Sequence, residues 1–177
     1  MLKTSLRRLL VLGLVLLLGA CGFHLRGSAN LPFKTLYLSL NDTSEMYALL
    51  ARTVKASSQT DIVKSAKEAE AVLSVTGDMQ RKTILSLNTS GRVREYQLIR
   101  TFSFRVADPE GRDLLPPATI ELRRDITYSD DQVLSKEAEE VLLWRDIQND
   151  LVQQILRRLS AAQTKPIADA TDASGAK

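Results

Sequence analysis

From Lys34 the chain reads KTLYLSLNDTSEMYALLARTVKA, and its apolar positions change period partway through. Leu36, Leu38 and Leu40 alternate with Tyr37 and Ser39, the spacing of a strand with one buried face. Beyond Asn41 the spacing becomes helical: Met46, Leu49, Leu50, Thr53 and Val54 trace one stripe. Asp42 followed by Glu45 is read as the helix start, the first carboxylate accepting from free amides and the second reaching back to the cap.

Alternation returns at residues 71–87 and 91–107, two arms of a long hairpin joined by Asn88, Thr89, Ser90 and Gly91, residue types that suit a tight turn. In the second arm Tyr96, Leu98, Arg100, Phe102, Phe104 and Val106 share one mainly apolar face, with Gln97, Ile99, Thr101, Ser103 and Arg105 opposite. In the first arm Leu73, Val75 and Met79 oppose Ser74, Thr76, Asp78 and Gln80, and Gly77 marks a bulge. The turn Asp108–Arg112 ends the hairpin. A further strand is predicted over 118–128, with Ile120, Leu122, Ile126 and Tyr128 on one face and its start set by Pro116 and Pro117.

A long helix then begins between Asp130 and Ala138 and runs to about Ala161, with Val141, Trp144, Ile147, Leu151, Ile155 and Leu159 as its buried stripe. After it, residues 163–177 have no periodicity and few apolar side chains, so a disordered tail is expected. The order strand, helix, three strands, helix predicts an α+β fold: two helices on one face of a four-stranded mixed sheet. Its other face would be polar and uncovered. Residues 21–162 form the single domain.

The first residues follow another logic. Lys3, Arg7 and Arg8 precede an apolar run from Leu9 to Leu18 that suits the core of a secretory signal and is short for a bilayer span. The run ends in Leu18, Gly19, Ala20 and Cys21, which resembles a bacterial lipobox. Residues 1–20 are therefore expected to be removed as a lipoprotein signal peptide. Cys21 would then carry an S-diacylglycerol and an N-acyl chain, and no other cofactor is expected. It is the only cysteine, so no intramolecular disulfide can form. Gly22 rather than aspartate follows it, which favours sorting to the outer membrane.

Removing the leader changes the charge. The whole chain has 24 basic and 21 acidic residues, but residues 1–20 hold three basic and no acidic side chains, leaving 21 of each. The excess positive charge belongs to the leader, so the charge argument for nucleic acid fails. Metal and nucleophile chemistry is also poorly supplied: the only histidine, His24, lies three residues from Cys21, and zinc sites or catalytic triads need more ligands or a free imidazole. No phosphate-loop or dinucleotide glycine pattern occurs. What remains is local: Arg92 and Arg94 beside the hairpin turn, Arg81 and Lys82 in the other arm, and Lys136 at the entry to the last helix. Guanidinium and ammonium groups so placed suit an anionic ligand such as a phosphorylated lipid.

CGFHLRG at the anchor, EYQL at Glu95–Leu98, the passage from strand to helix through Lys136, and the ending ILRRL together resemble the lipopolysaccharide-assembly lipoprotein family LptE, formerly called rare lipoprotein B. The resemblance runs from Cys21 to about Leu159. It implies a non-enzymatic lipoprotein on the periplasmic side of the outer membrane, held largely in the lumen of the LptD β-barrel, helping that barrel assemble and binding lipopolysaccharide. Cys21 matches the acylated cysteine, and Lys136 aligns with a basic residue the family offers to lipopolysaccharide. The second basic position falls at the hairpin tip, where this chain has Thr89, and Arg92 or Arg94 stands in for it. The readings set against this are an envelope lipoprotein hydrolase and an accessory subunit of the β-barrel assembly machine.

Overall fold

The computed structural model describes residues 31–162. The expected signal peptide over residues 1–20, Cys21, His24 and the expected tail over residues 163–177 lie outside the described residues. The elements are β1 (Thr35–Ser39), α1 (Glu45–Ser57), β2 (Asp61–Val63), β3 (Ala71–Leu87), β4 (Val93–Ala107), β5 (Asp113–Thr127) and α2 (Val133–Leu159). Short 3-10 turns at Ala66–Glu68 and Asp130–Gln132 precede β3 and α2. The strands form one sheet in the order β2-β1-β3-β4-β5. β1 runs parallel to both its neighbours, and the long strands β3, β4 and β5 are antiparallel. No helix among the described residues is long and apolar enough to cross a membrane.

The sheet has five strands, not the four expected. β2 spans only three residues and is half-exposed to exposed, so it carries no readable alternation. It is held by tertiary contacts: the buried Thr60 hydroxyl donates to the Phe33 carbonyl at 2.8 Å, and the Asp61 amide donates to Lys34 at 2.8 Å. The cap of α1 also differs. Ser44, not Asp42, is the N-cap and accepts from the Tyr47 amide at 3.1 Å. Asn41 sets the turn before it by accepting from the Thr43 amide at 3.0 Å.

β5 begins five residues before the expected start, at Asp113, and takes Pro116 and Pro117 into the strand. They are tolerated because β5 is an outer strand and the register with β4 shifts there: Phe104 pairs with Ala118, and Val106 with Leu115. The expected bulge at Gly77 is present as a register shift between Val75 and Gly77. The turn at Asp108–Arg112 closes as expected, with Gly111 at a φ of 87°, a left-handed conformation that favours glycine.

Both helices pack on one face of the sheet. Leu36, Leu38, Leu73, Leu98, Phe102, Phe104 and Val106 meet Leu50 and Val54 of α1 and Ile147, Leu151, Ile155 and Leu159 of α2 in one core. Val152 and Leu156 widen the α2 stripe. Val141 was expected in that stripe but is exposed, as are Leu134 and Leu142. The first turns of α2 therefore carry apolar side chains away from the core.

Candidate functional site

The long hairpin, the end of β5 and the first turns of α2 converge at one end of the molecule. Asn88 makes the hairpin turn: its side-chain oxygen accepts from the amides of Ser90 and Arg92 at 3.0 and 2.9 Å. Gly91 closes it at a φ of 77°. Arg92 is thus fixed by its backbone while its guanidinium, 3.3 Å from Asp130, remains well exposed. An exposed pair of this kind contributes little to stability and can exchange partners.

Arg94 lies two residues further on. Its carbonyl accepts from the Tyr128 amide at 2.8 Å, which ties the hairpin to the end of β5. Its side chain is exposed and makes no ion pair among the described residues. Lys136 reaches back from α2 to the Thr127 hydroxyl and the Glu139 carboxylate, both at 2.8 Å, with 17% of its side chain exposed. The three predicted basic residues thus share one end of the domain, in different states: Arg94 unpaired, Arg92 loosely paired, Lys136 satisfied and half-enclosed.

Beside them is a cleft of about 150 Å³ lined by Lys82, Tyr96, Ile126, Tyr128 and, from α2, Val133, Lys136, Glu137 and Glu140. Tyr96 and Tyr128 meet edge to face, with centroids 5.4 Å apart. The Lys82 ammonium sits 4.3 Å from the Tyr96 ring centroid and 2.6 Å from a Glu140 oxygen. Glu140 also accepts from the Trp144 indole at 3.3 Å, so one carboxylate holds both the strand and the helix. Drug-sized ligands occupy sites of about 300 Å³ or more. A cleft of this size has room for a small group only, and its lining sets Glu137 and Glu140 beside Lys82 and Lys136.

Sequence reasoning missed an ion pair further along β3 and β4. Arg100 is 3% exposed, and its guanidinium donates to Asp78 through Nε at 3.0 Å and Nη2 at 2.8 Å, and to Gln148 of α2 through Nη1 at 3.1 Å. The signal was present in the alternation, where Arg100 interrupts an otherwise apolar face between Leu98 and Phe102.

The opposite face of the sheet is covered by no described element and is polar, as expected. Ser103 bonds Thr119 at 2.8 Å, Thr101 donates to Glu121 at 3.3 Å, and Gln97 donates to Asp125 at 2.9 Å, each pair directly opposed across β4 and β5. Arg123 donates to Glu121, and this hydrogen bond and charge hold the Glu121 carboxyl below its ordinary range. Among the described residues the face is mainly paired polar groups, with Met79, Ile99 and Arg81 set among them.

The fold and site define a small α+β domain with a one-sided sheet and a basic hairpin end. Residues 33–159 match the family described as LptE, lipopolysaccharide-assembly. The LPS-assembly lipoprotein LptE of Pectobacterium atrosepticum is 32% identical over 157 residues, covering 85% of this chain and 83% of that protein. That of Yersinia enterocolitica is 29% identical, covering 93% and 80%. Among solved structures, the lipoprotein B of Nitrosomonas europaea superimposes with a TM-score of 0.70 at 36% identity, covering 79% of this chain and 91% of that one. The rare lipoprotein B of Shewanella oneidensis gives 0.62 at 30% identity, covering 72% and 94%. The chain belongs to the LptE family, whose members are assembly lipoproteins and not enzymes.

Proposed function

We propose that this chain is an outer-membrane lipoprotein that plugs the LptD β-barrel, helps it assemble and binds lipopolysaccharide during insertion into the outer leaflet. Acyl chains on Cys21 tether it to the periplasmic side of the membrane. Family membership supports the role in lipopolysaccharide assembly. The observation that carries the finer reading is the one-sided sheet. Both helices cover one face, and the other is a ladder of satisfied hydroxyl, amide and ion-pair contacts. The interior of large outer-membrane barrels is polar, so a mainly polar face of this kind suits enclosure there.

In this reading Arg92, Arg94 and Lys136 meet the phosphates of lipopolysaccharide. Arg94 is ready to do so, Arg92 exchanges Asp130 for the ligand, and Lys136 exchanges Glu139. The near balance of charge over the rest of the domain means that attraction comes from this cluster and not from a general field. The test is to purify the tagged full-length chain from detergent-solubilised outer membrane and identify the barrel that accompanies it. Recovery of LptD is the expected result. Recovery of the barrel of the β-barrel assembly machine without LptD would replace the plug reading with an accessory role in assembly.

A further inference from the structure

The sheet has three outer boundaries, and two of them are blunted. β2 is three residues long. β5 contains Pro116 and Pro117, and two of its carbonyls accept from arginines: Thr119 from Arg158 of α2 at 3.5 Å and Arg123 from Arg124 at 2.9 Å. Prolines, charges and covering side chains are the usual protection of a strand edge. The third boundary has no proline and, among the described residues, no side chain bonded over it, and its two charges, Arg81 and Lys82, are of one sign. β1 pairs with β3 only as far as Ser39 and Ser74, so from Gly77 to Leu87 one side of β3 has no strand beside it. Among the described residues no side chain bonds the backbone of that stretch.

The stretch is also patterned. Met79 at one end and Ile84, Leu85 and Leu87 at the other are exposed apolar side chains. Between them lie Arg81 and Lys82. Arg81 shares the open face with Ile99 and makes no ion pair among the described residues, although its charge contributes to lowering the Glu121 pKa. Lys82 faces the helices and Glu140. An unpaired row of amides and carbonyls accepts an extended chain. Its side chains then select what that chain carries.

The geometry points to β3 between Gly77 and Leu87 as a strand-addition site for an extended segment of a different polypeptide, one with carboxylates at its middle and apolar residues on either side. A second copy of this chain is the poorer occupant, because antiparallel self-pairing about the centre of the stretch sets Arg81 and Lys82 of one copy against those of the other. Like charges opposed across strands are destabilising. This site adjoins the cleft through Lys82 but uses the backbone edge of β3 and not the side chains of Arg92, Arg94 and Lys136, so it does not depend on that ligand.

The probe is a fluorescein-labelled peptide of alternating valine and threonine with two central glutamates, titrated against the full-length chain in detergent. Three comparisons accompany it: the same peptide N-methylated at alternate residues, a version with two lysines for the glutamates, and Arg81→Glu protein checked by circular dichroism. We expect saturable binding of the glutamate peptide, loss of binding on N-methylation, at least about tenfold weaker binding of the lysine peptide, and reversal of that preference by Arg81→Glu. Absence of saturable binding, or equal binding of the N-methylated peptide, would overturn strand addition. A concentration-dependent dimer in sedimentation that excludes the peptide would overturn it in favour of a second copy.

Discussion

Arg100 and Asp78 form a two-pronged ion pair across β3 and β4, with Nε–Oδ1 at 3.0 Å and Nη2–Oδ2 at 2.8 Å, and the third arm of the guanidinium holds Gln148. The arginine is enclosed while the aspartate keeps about a third of its side chain exposed. Removing the aspartate leaves a desolvated cation without a counter-charge, which costs far more than removing both charges. Asp78→Ala should therefore destabilise by about 3 kcal/mol, the lower end for a broken buried pair. Arg100→Met with Asp78→Ala should recover much of that loss. Urea unfolding of the two variants checks it, and equal midpoints would show that the pair is not coupled.

Arg94 differs from Arg92 in having no carboxylate to release among the described residues. If phosphate is the ligand, Arg94→Asp should weaken lipopolysaccharide binding by more than tenfold, since a charge-assisted contact contributes roughly 1.5 to 3 kcal/mol. Arg92→Asp should cost less. Both side chains are exposed, so stability should shift by about 0.5 kcal/mol or less. Binding by the full-length chain, with circular dichroism as the folding control, separates the two, and identical effects would undo the ranking.

Lys136 is held by Glu139 at 2.8 Å. Glu139→Gln removes the competing carboxylate and leaves the ammonium for the ligand, so affinity for lipopolysaccharide should rise several-fold, towards about tenfold for a gain near 1.4 kcal/mol. Weaker binding in that variant would mean that Glu139 positions the lysine instead of occupying it.

Burial by itself would raise the Asp108 carboxyl, but the Arg112 amide and guanidinium, the charge of Arg112 and the Glu110 amide outweigh it and hold the pKa below the ordinary carboxylate value. A group whose folded pKa is depressed stabilises the fold above its unfolded pKa of about 4 and loses that contribution as pH falls through the folded value. Asp108→Asn should therefore be less stable than the parent at neutral pH, with the gap narrowing below about pH 4. Urea midpoints across that range decide it. A gap independent of pH would assign the loss to hydrogen bonding alone.

Several acyl chains give stable membrane residence, whereas one gives only marginal binding. Cys21→Ala should free the chain from its lipid tether, yet much of it should still fractionate with outer membrane when the barrel partner is present. Complete release to the periplasm with the partner abundant would argue against enclosure in the barrel.

Local sequence determined what depends on local chemistry. The alternation in β1, β4 and the start of β3 marked the buried face because side chains point to opposite faces at every step of a strand, but the bulge at Gly77 inverts β3 beyond it, so Met79 is exposed on the open face and Asp78 turns to the helix side. Asn88 and Gly91 marked the hairpin turn, and the spacing from Ile147 to Leu159 marked the buried side of α2. Periodicity reports which way a side chain points, not what stands in front of it. So only the tertiary structure decided that Val141 points to solvent, that Arg100 on an apolar face finds Asp78, and that Lys136 finds Glu139. The same reason hid β2, whose three residues are a strand only because β1 lies beside them, and left the free edge of β3 visible only once its neighbours were counted.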